Sequence, residues 1–552
     1  MAAPNTPPSN PPAPGGKPGD VQSAAAAVAA GVFKFRWLIL IGLWAAAVME
    51  TLDTTIINVA LPQMSGNLGA TTTEIAWVST GYILANVVIL PMTAFLAQRF
   101  GRKNYLLFSI VLFVAASFLC GTSHTLGEIV LWRILQGAGG AALLSTAQAT
   151  LRQIFPQKEQ GLVQALFLLG IIIAPTLGPT LGGWITDNYT WAWCFWVNIP
   201  VGILSVFFVG SFLFDPPVDP NRVLPAPDWL GIVLLTVGLG SLQYVLEQGN
   251  EDDWFNSAVI VRLSIVAAIA LSILMWWLLS PRNKAPVVNL RVMQNQEFAA
   301  ALAMFLALGF GLYGGLYLLP LFTQIVLGFT PTQTGLSLLP GGIATGMVVV
   351  TCGALLNNPK LKLDPRILIT VGAIIFPVSM WMLSHVTTQS GEADMQIALI
   401  VRGIGLGFLF TPLNQVAFAA LKGPEIQQGS GLISLMRQLG GSFGIAFLGT
   451  YLTNMTRFHN QRLLENLTPG NPLLLERQQM IIANLIANGY SQAQAQGASL
   501  GLIARGVGQQ ASTLAYENAF IVIMLSFAVA APTILLLKRP KAGGAGAAAD
   551  AH

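Results

Sequence analysis

Residues 49–62, METLDTTIINVALP, place two acids, Glu50 and Asp53, in a segment that is otherwise oily. A spacing of three sets both on one side of a helix. A charged carboxylate at the centre of a bilayer costs about 2.5–3.5 kcal/mol on insertion scales, so an intramembrane acid is a functional candidate by default. Two carboxyls buried this close yield a group that can bind and release a proton near neutral pH. A carboxylate facing a polar cavity also attracts a cation. A proton and a cationic compound competing for one place is the chemistry of exchange without ATP. Asn58 adds a neutral polar group to the same segment. The alternative for either acid is a structural hydrogen-bonding role at a helix interface.

Other charges sit in oily surroundings. Arg133 and Gln136 are one turn apart in LWRILQGAGGAA. Arg402 and Arg437 stand in later apolar runs. Each is expected to face a polar cavity or a partner. For Arg402 and Arg437, a structural ion pair or a helix-end contact is an equal alternative.

The elements that must carry these residues follow from composition. Of 552 residues, 54% are hydrophobic and 9% charged. Soluble proteins hold about 25% charged residues. Mean hydropathy is +0.65. The chain reads as an all-α polytopic membrane protein. Its net charge of +4 is too small and too scattered to suggest nucleic acid as a partner. There is no HExxH, no metal-ligand cluster and no Walker A loop. GGSFG (440–444) and GASLG (497–501) fit the GxSxG pattern but lie in an apolar span and an Ala/Gln-rich stretch, not at a strand-to-helix elbow. Neither an enzyme nor an ATP-driven pump is supported, and no cofactor or metal is expected. Cys120, Cys194 and Cys352 lie in apolar runs and read as packing residues.

Runs of about 20 apolar residues span a bilayer as helices. Fourteen are expected, near 37–60, 75–97, 104–122, 127–150, 161–184, 193–214, 229–247, 257–279, 297–320, 332–355, 366–386, 394–420, 428–453 and 514–537. With the N-terminus inside, alternate loops and both tails hold 19 of the 27 bases. The six short outer loops hold none. Both termini are therefore expected in the cytoplasm.

The expected organisation is a disordered Pro/Gly-rich tail (1–36), a six-helix bundle (37–214), a linker with two extra spans (215–280), five helices of a second bundle (281–453), a long outer loop (454–513), the last span (514–537) and a second tail (538–552). The loop has an Ala/Leu/Gln pattern that suggests a helical hairpin outside the membrane; a solvated loop without a partner is the alternative. The chain also repeats weakly. LGATTTEIAW (68–77) pairs with LGFTPTQTGL (327–336), Pro62 with Pro320 as span ends, and WRILQGAG (132–139) with VRGIGLG (401–407). Internal repeats mark secondary transporters that hold substrate between halves near the midplane.

Four stretches carry a family resemblance. LDTTIINVALP resembles the span-1 signature of fourteen-span exporters in the major facilitator superfamily, and LWRILQGAGGAA resembles the span-4 motif with its buried arginine. APTLGPTLGGWI resembles the span-5 antiporter motif, and AFLAQRFGRKNYL resembles the motif between spans 2 and 3. WAWCFWVNIPVG and LMRQLGGSFG also fit the drug:proton antiporter branch, and the whole is most similar to EmrB-type pumps. The inter-span motif here has Ala94 and Gln98 where Gly and Asp are usual, so an Asp–Arg pair is missing from it.

The resemblance implies a major facilitator fold and proton-coupled export of amphipathic drugs by alternating access. Glu50, Asp53, Asn58, Arg133 and Gln136 would bind proton or substrate. Pro175, Gly178, Pro179, Gly182 and Gly183 would let span 5 bend or pack closely against a helix of the other half; ordinary small-residue packing is the alternative. Arg99, Gly101, Arg102 and Lys103 would form a cytoplasmic gate, or act as topology determinants alone. Arg402 and Arg437 would be polar groups of the second bundle. Implied partners are small amphipathic substrates, protons, the bilayer of a bacterial inner membrane, a periplasmic adaptor (EmrA-like) and an outer-membrane channel (TolC-like). The alternatives are a dedicated exporter of one metabolite, such as a siderophore or fatty acid, and a non-transporting receptor or scaffold.

Overall fold

The computed structural model describes residues 34–537, apart from 157–158, 216–225, 359–360, 362, 422–424, 466 and 469. The two terminal tails lie outside the described residues, save for the last few residues of the first tail. The helices are α1 (Arg36–Leu68), α2 (Trp77–Phe100), α3 (Arg102–Gly121), α4 (Leu126–Ile154), α5 (Gln160–Asn188), α6 (Trp193–Phe212), α7 (Trp229–Gln248) and α8 (Ala258–Leu279). They continue with α9 (Gln296–Val326), α10 (Pro331–Asn357), α11 (Pro365–Leu383), α12 (Glu392–Ala419), α13 (Glu425–Glu465), α14 (Pro472–Ala487) and α15 (Gln492–Leu536). No strand occurs among the described residues. Among the described residues, thirteen helices are long and apolar enough to cross a membrane, and α5, bent by 44° between Gln160–Pro175 and Leu177–Asn188, makes fourteen. The chain is a multi-pass membrane protein.

Packing follows the repeat. In the first half α1 packs on α5 and α6, α4 on α2 and α3, and α3 on α6. In the second half α9 packs on α13 and α15, α12 on α10 and α11, and α11 on α15. The halves meet where α2 touches α13 and α5 touches α10, two contacts that a pseudo-two-fold axis exchanges. The caps repeat as well. Gly69 (φ 64°) and Gly328 (φ 72°) both turn through the left-handed region that favours glycine. Capping boxes then open the next helices at Thr71/Glu74 and Thr330/Gln333. Glycines let the centre close up: Gly137 abuts the Tyr82 carbonyl of α2, and Gly403 the Gly341 carbonyl of α10.

Two boundaries differ from the expectation. Pro62 and Pro320 do not end their spans; α1 continues to Leu68, and α9 continues through a π-turn at Phe322–Val326. One missing backbone donor near a helix end interrupts the ladder without stopping it. The segment 454–513 is helical, as its Ala/Leu/Gln pattern suggests, but its outer helices continue those of the membrane. α13 runs on to Glu465, α15 begins at Gln492 under a Ser491 capping box, and α14 packs on α15 between them. A stretch this rich in Ala, Leu and Gln has strong helix propensity, so the membrane helices simply extend.

The linker pair α7–α8 lies beside the gap between halves, with α7 against α2 and α13. Asp228, just before α7, ties the pair down. Its carboxylate accepts from Trp277 Nε1 (2.8 Å), Asn283 Nδ2 (2.7 Å) and the backbone amides of Gly231 (2.9 Å) and Val287 (3.3 Å). Cys120, Cys194 and Cys352 are buried and free, as packing residues should be.

Candidate functional site

The two acids of α1 go to different places. Three residues advance a helix by 300°, leaving them about 60° apart around the axis. That is enough to put Asp53 inside the first half and Glu50 toward the space between halves. Asp53 is fully buried and pairs with Arg133 of α4 at 2.5 Å. Its second oxygen accepts from Gln136 Nε2 (3.0 Å) and Asn198 Nδ2 (2.8 Å). Arg133 also donates to Gln136 Oε1 (2.8 Å) and the Val78 carbonyl (2.9 Å), and stacks 4.3 Å from the Tyr82 ring centre. Ser117 closes the network, accepting from Gln136 and Asn198 and donating to the Phe195 carbonyl. One charge pair is thus buried with its hydrogen-bonding capacity satisfied, the condition under which such a pair is tolerated. The network joins α1, α2, α3, α4 and α6 into one body.

A cavity of about 580 Å³ lies between the halves. Its lining includes Glu50 and Asn58 from α1, Tyr82 and Asn86 from α2, Pro175 and Pro179 from α5, Glu247 from α7, Tyr313 and Tyr317 from α9, and Arg437 and Gln438 from α13. Tyr82, Asn86 and Glu50 converge on Gly140, where a β-carbon would sit 2.6–3.4 Å from them. Asn58 accepts from Ser79 Oγ at 3.1 Å. Of the five proton and substrate candidates, Glu50 and Asn58 line this cavity; Asp53, Arg133 and Gln136 do not.

Arg437 and Arg402 border a smaller space of about 50 Å³ that adjoins it, with Tyr313 and Pro175 shared by both linings. No described carboxylate lies within 4 Å of either guanidinium. Arg402 occupies the place in the second half that Arg133 holds in the first, but Gly315 rather than an acid faces it; its Nη2 donates to the Leu312 carbonyl at 3.4 Å. Neither arginine makes a salt bridge among the described residues, though Arg437 acts electrostatically on Glu50 from beyond contact distance.

The antiporter-motif glycines pack against their own half. Gly178 abuts Thr55, and a β-carbon at Gly182 would lie 2.8 Å from the Ile56 carbonyl, both on α1. The expected close approach to the other half falls elsewhere, at Thr180 against Gly335 of α10. Gly183 is loose, with nothing nearer than 4.0 Å.

At the loop between α2 and α3, Gly101 (φ 85°) makes the turn. The carboxylate missing from that motif comes from Asp215, beyond α6. Asp215 lies 3.5 Å from Arg102 Nε and accepts from the Lys103 amide at 2.8 Å. Arg102 also reaches Gln153 of α4, and the Lys103 ammonium sits 4.3 Å over the Phe214 ring. The bonds of Arg102 and Lys103 therefore lie inside the first half. Bonds that join the halves at the same end are Gln148 Nε2 to Asn414 Oδ1 (2.7 Å), Gln427 Nε2 to Thr146 Oγ1 (3.2 Å) and Ser430 Oγ to the Ser145 carbonyl (2.6 Å). They close the cavity beyond Ser145. The cavity reaches the other way, past Pro62, Pro320 and Gln324.

Sequence reasoning missed Asn198, Asp215, Glu247 and this polar closure. Asn198 stood in the quoted WVNIPVG segment and was the one signal available, a lone amide in an aromatic run. The others are contacts between distant segments, invisible to local pattern.

Residues 43–445 match the Major Facilitator Superfamily. The chain belongs to that superfamily of membrane transporters. It is 34% identical to the fatty acid resistance protein FarB of Neisseria gonorrhoeae, over 92% of this chain and 97% of that protein. It is 32% identical to the multidrug export protein EmrB of Escherichia coli strain K12, over 92% of this chain and 96% of that one. The fold is also that of the human organic anion transporter MFSD10, with a TM-score of 0.52 at 11% identity, covering 91% of this chain and 99% of that one.

Proposed function

We propose that this chain exports amphipathic compounds in exchange for protons, exposing the central cavity alternately to the two faces of a bacterial inner membrane. The observation that carries the reading is Glu50, a carboxyl with access to a cavity between two pseudo-symmetric halves, one turn from an ion pair sealed inside the first half. The sealed pair holds α1 rigid against α4, so protonation of Glu50 acts on a firm body rather than on a loose side chain. Of the two acids, Asp53 is committed to the ion pair with Arg133, and the exchanged proton is assigned to Glu50. Similarity to EmrB and FarB supports export of drugs or fatty acids.

On this reading both termini are cytoplasmic, the side that the base-rich loops favour. Gln148, Asn414, Gln427 and Ser430 then form the cytoplasmic closure, and the described state faces outward. Arg102 and Lys103 brace the first half at that face. The helical extensions around α14 project outside the membrane and expose Leu473, Met480 and Leu500. Those side chains suit docking by an EmrA-like adaptor that leads to a TolC-like channel. No catalytic or cofactor chemistry is required.

Purified protein in proteoliposomes tests this. Drug accumulation should follow an imposed proton gradient, collapse with a protonophore and ignore ATP. Accumulation that persists without a gradient would reject proton coupling.

A further inference from the structure

The linker helices are extra to the two six-helix halves, and a spacer needs no charge on its inner face. α7 nevertheless brings Glu247 to the wall of the central cavity. Its position is built. Gln243, one turn earlier, donates from one amide nitrogen to Glu247 Oε1 (2.8 Å) and to Ser442 Oγ of α13 (2.8 Å). Gln248 reaches Thr80 of α2 (3.4 Å). α7 thus bridges both halves across the gap between α2 and α13, with its carboxylate turned inward.

The charges around the cavity are unevenly matched. Arg437 acts electrostatically on Glu50 and lines the same wall as Tyr313. No described base lies within 4 Å of Glu247, and the charge that acts on it is another acid, Glu251. A carboxylate held by one amide, in a cavity that Tyr317, Leu316 and Ile445 also line, lacks a counter-ion that a ligand can supply.

We propose that Glu247 is a cation-binding carboxylate: the linker helix contributes a subsite that takes the charged head of an amphipathic organic cation, whose apolar body lies in the cavity. The subsite rests on the export reading above and gives it a substrate class. It also gives the linker pair a part in recognition. Because α7 touches both halves, the charge stays beside the cavity as they move.

Two probes of equal size and shape but opposite charge decide it: tetraphenylphosphonium and tetraphenylborate, titrated onto the purified full-length protein. Wild type should bind the cation more tightly than the anion. Glu247→Gln should weaken tetraphenylphosphonium at least tenfold and leave tetraphenylborate unchanged or tighter. Glu247→Asp should keep the preference for the cation, which excludes a folding defect. Ser442→Ala should weaken the cation several-fold by releasing Gln243. An equal loss of both probes in Glu247→Gln, or no loss of either, overturns the proposal. So does a wild type that prefers the anion or binds neither. Export itself is read separately, in proteoliposomes of the wild-type protein with a neutral substrate; absence of proton-driven flux there would strike the export reading instead.

Discussion

Asp53 and Glu50 look alike in the sequence and differ by 60° of helix, and that angle decides what each can do. Asp53 is fully buried, stands outside the cavity lining and has three hydrogen-bond partners, one of them the charged Arg133. Asp53→Asn keeps the shape, removes the charge and leaves Arg133 buried without a counter-ion. Breaking one side of such a pair costs about 3–5 kcal/mol. Asp53→Asn should therefore unfold in detergent at a clearly lower temperature than wild type, while Glu50→Gln unfolds near the wild-type value. Asp53→Asn and Arg133→Gln combined should cost less than the two effects added, since the second change removes the stranded charge. Equal stability of wild type and Asp53→Asn would contradict the sealed-pair account. The sequence made both acids visible, because charge in an oily run stands out. It could not assign them, because the partners of Asp53 lie 80 and 145 positions away on other helices.

At the scale of elements, the glycines of α5 divide by what faces them. Gly178 and Gly182 meet α1 closely, so Gly182→Val forces a β-branched side chain into the Ile56 carbonyl and should lower stability and transport together. Gly183→Ala has room and should leave both near wild type; an equal loss at Gly183 would show that the bend, rather than the contact with α1, governs this helix. The linker clamp makes a pH prediction. Burial pushes the Asp228 carboxyl up, but hydrogen bonds from Trp277, Asn283, Gly231 and Val287 outweigh it and hold the group below its ordinary range. A lowered value contributes stability above the unfolded pKa, near 3.9 for Asp, and loses it as pH falls through the folded one. Asp228→Asn also presents donors to donors. It should loosen α7–α8 at neutral pH, seen as faster hydrogen exchange in those helices, and should remove the acid-dependent part of that exchange. Unchanged exchange in Asp228→Asn would contradict the clamp. Helix number and repeat were legible because span length and capping are local. The clamp was not, since Asp228 and Trp277 belong to separate segments.

For the whole molecule, the pseudo-two-fold packing accounts for the cavity. Each half is a body with its own buried glycine contacts, and the halves are joined at one end by a few neutral polar bonds. Neutral bonds between bodies can be exchanged for water at modest net cost, about 0.5–1.5 kcal/mol each. That suits a closure that must open in every cycle better than an ion pair does. Gln148→Ala with Asn414→Ala should shift the population toward the cytoplasm-open form, so that a cysteine placed at Ser430 labels faster from the inside; unchanged labelling would place the closure elsewhere. The central claim is that Glu50, at the cavity wall, carries the exchanged proton. The most direct test is substrate-driven proton movement in proteoliposomes with an internal pH dye, comparing wild type with Glu50→Gln. Substrate should drive proton flux in wild type, and Glu50→Gln should bind substrate and move no proton. Proton flux at the wild-type rate in Glu50→Gln would contradict the account.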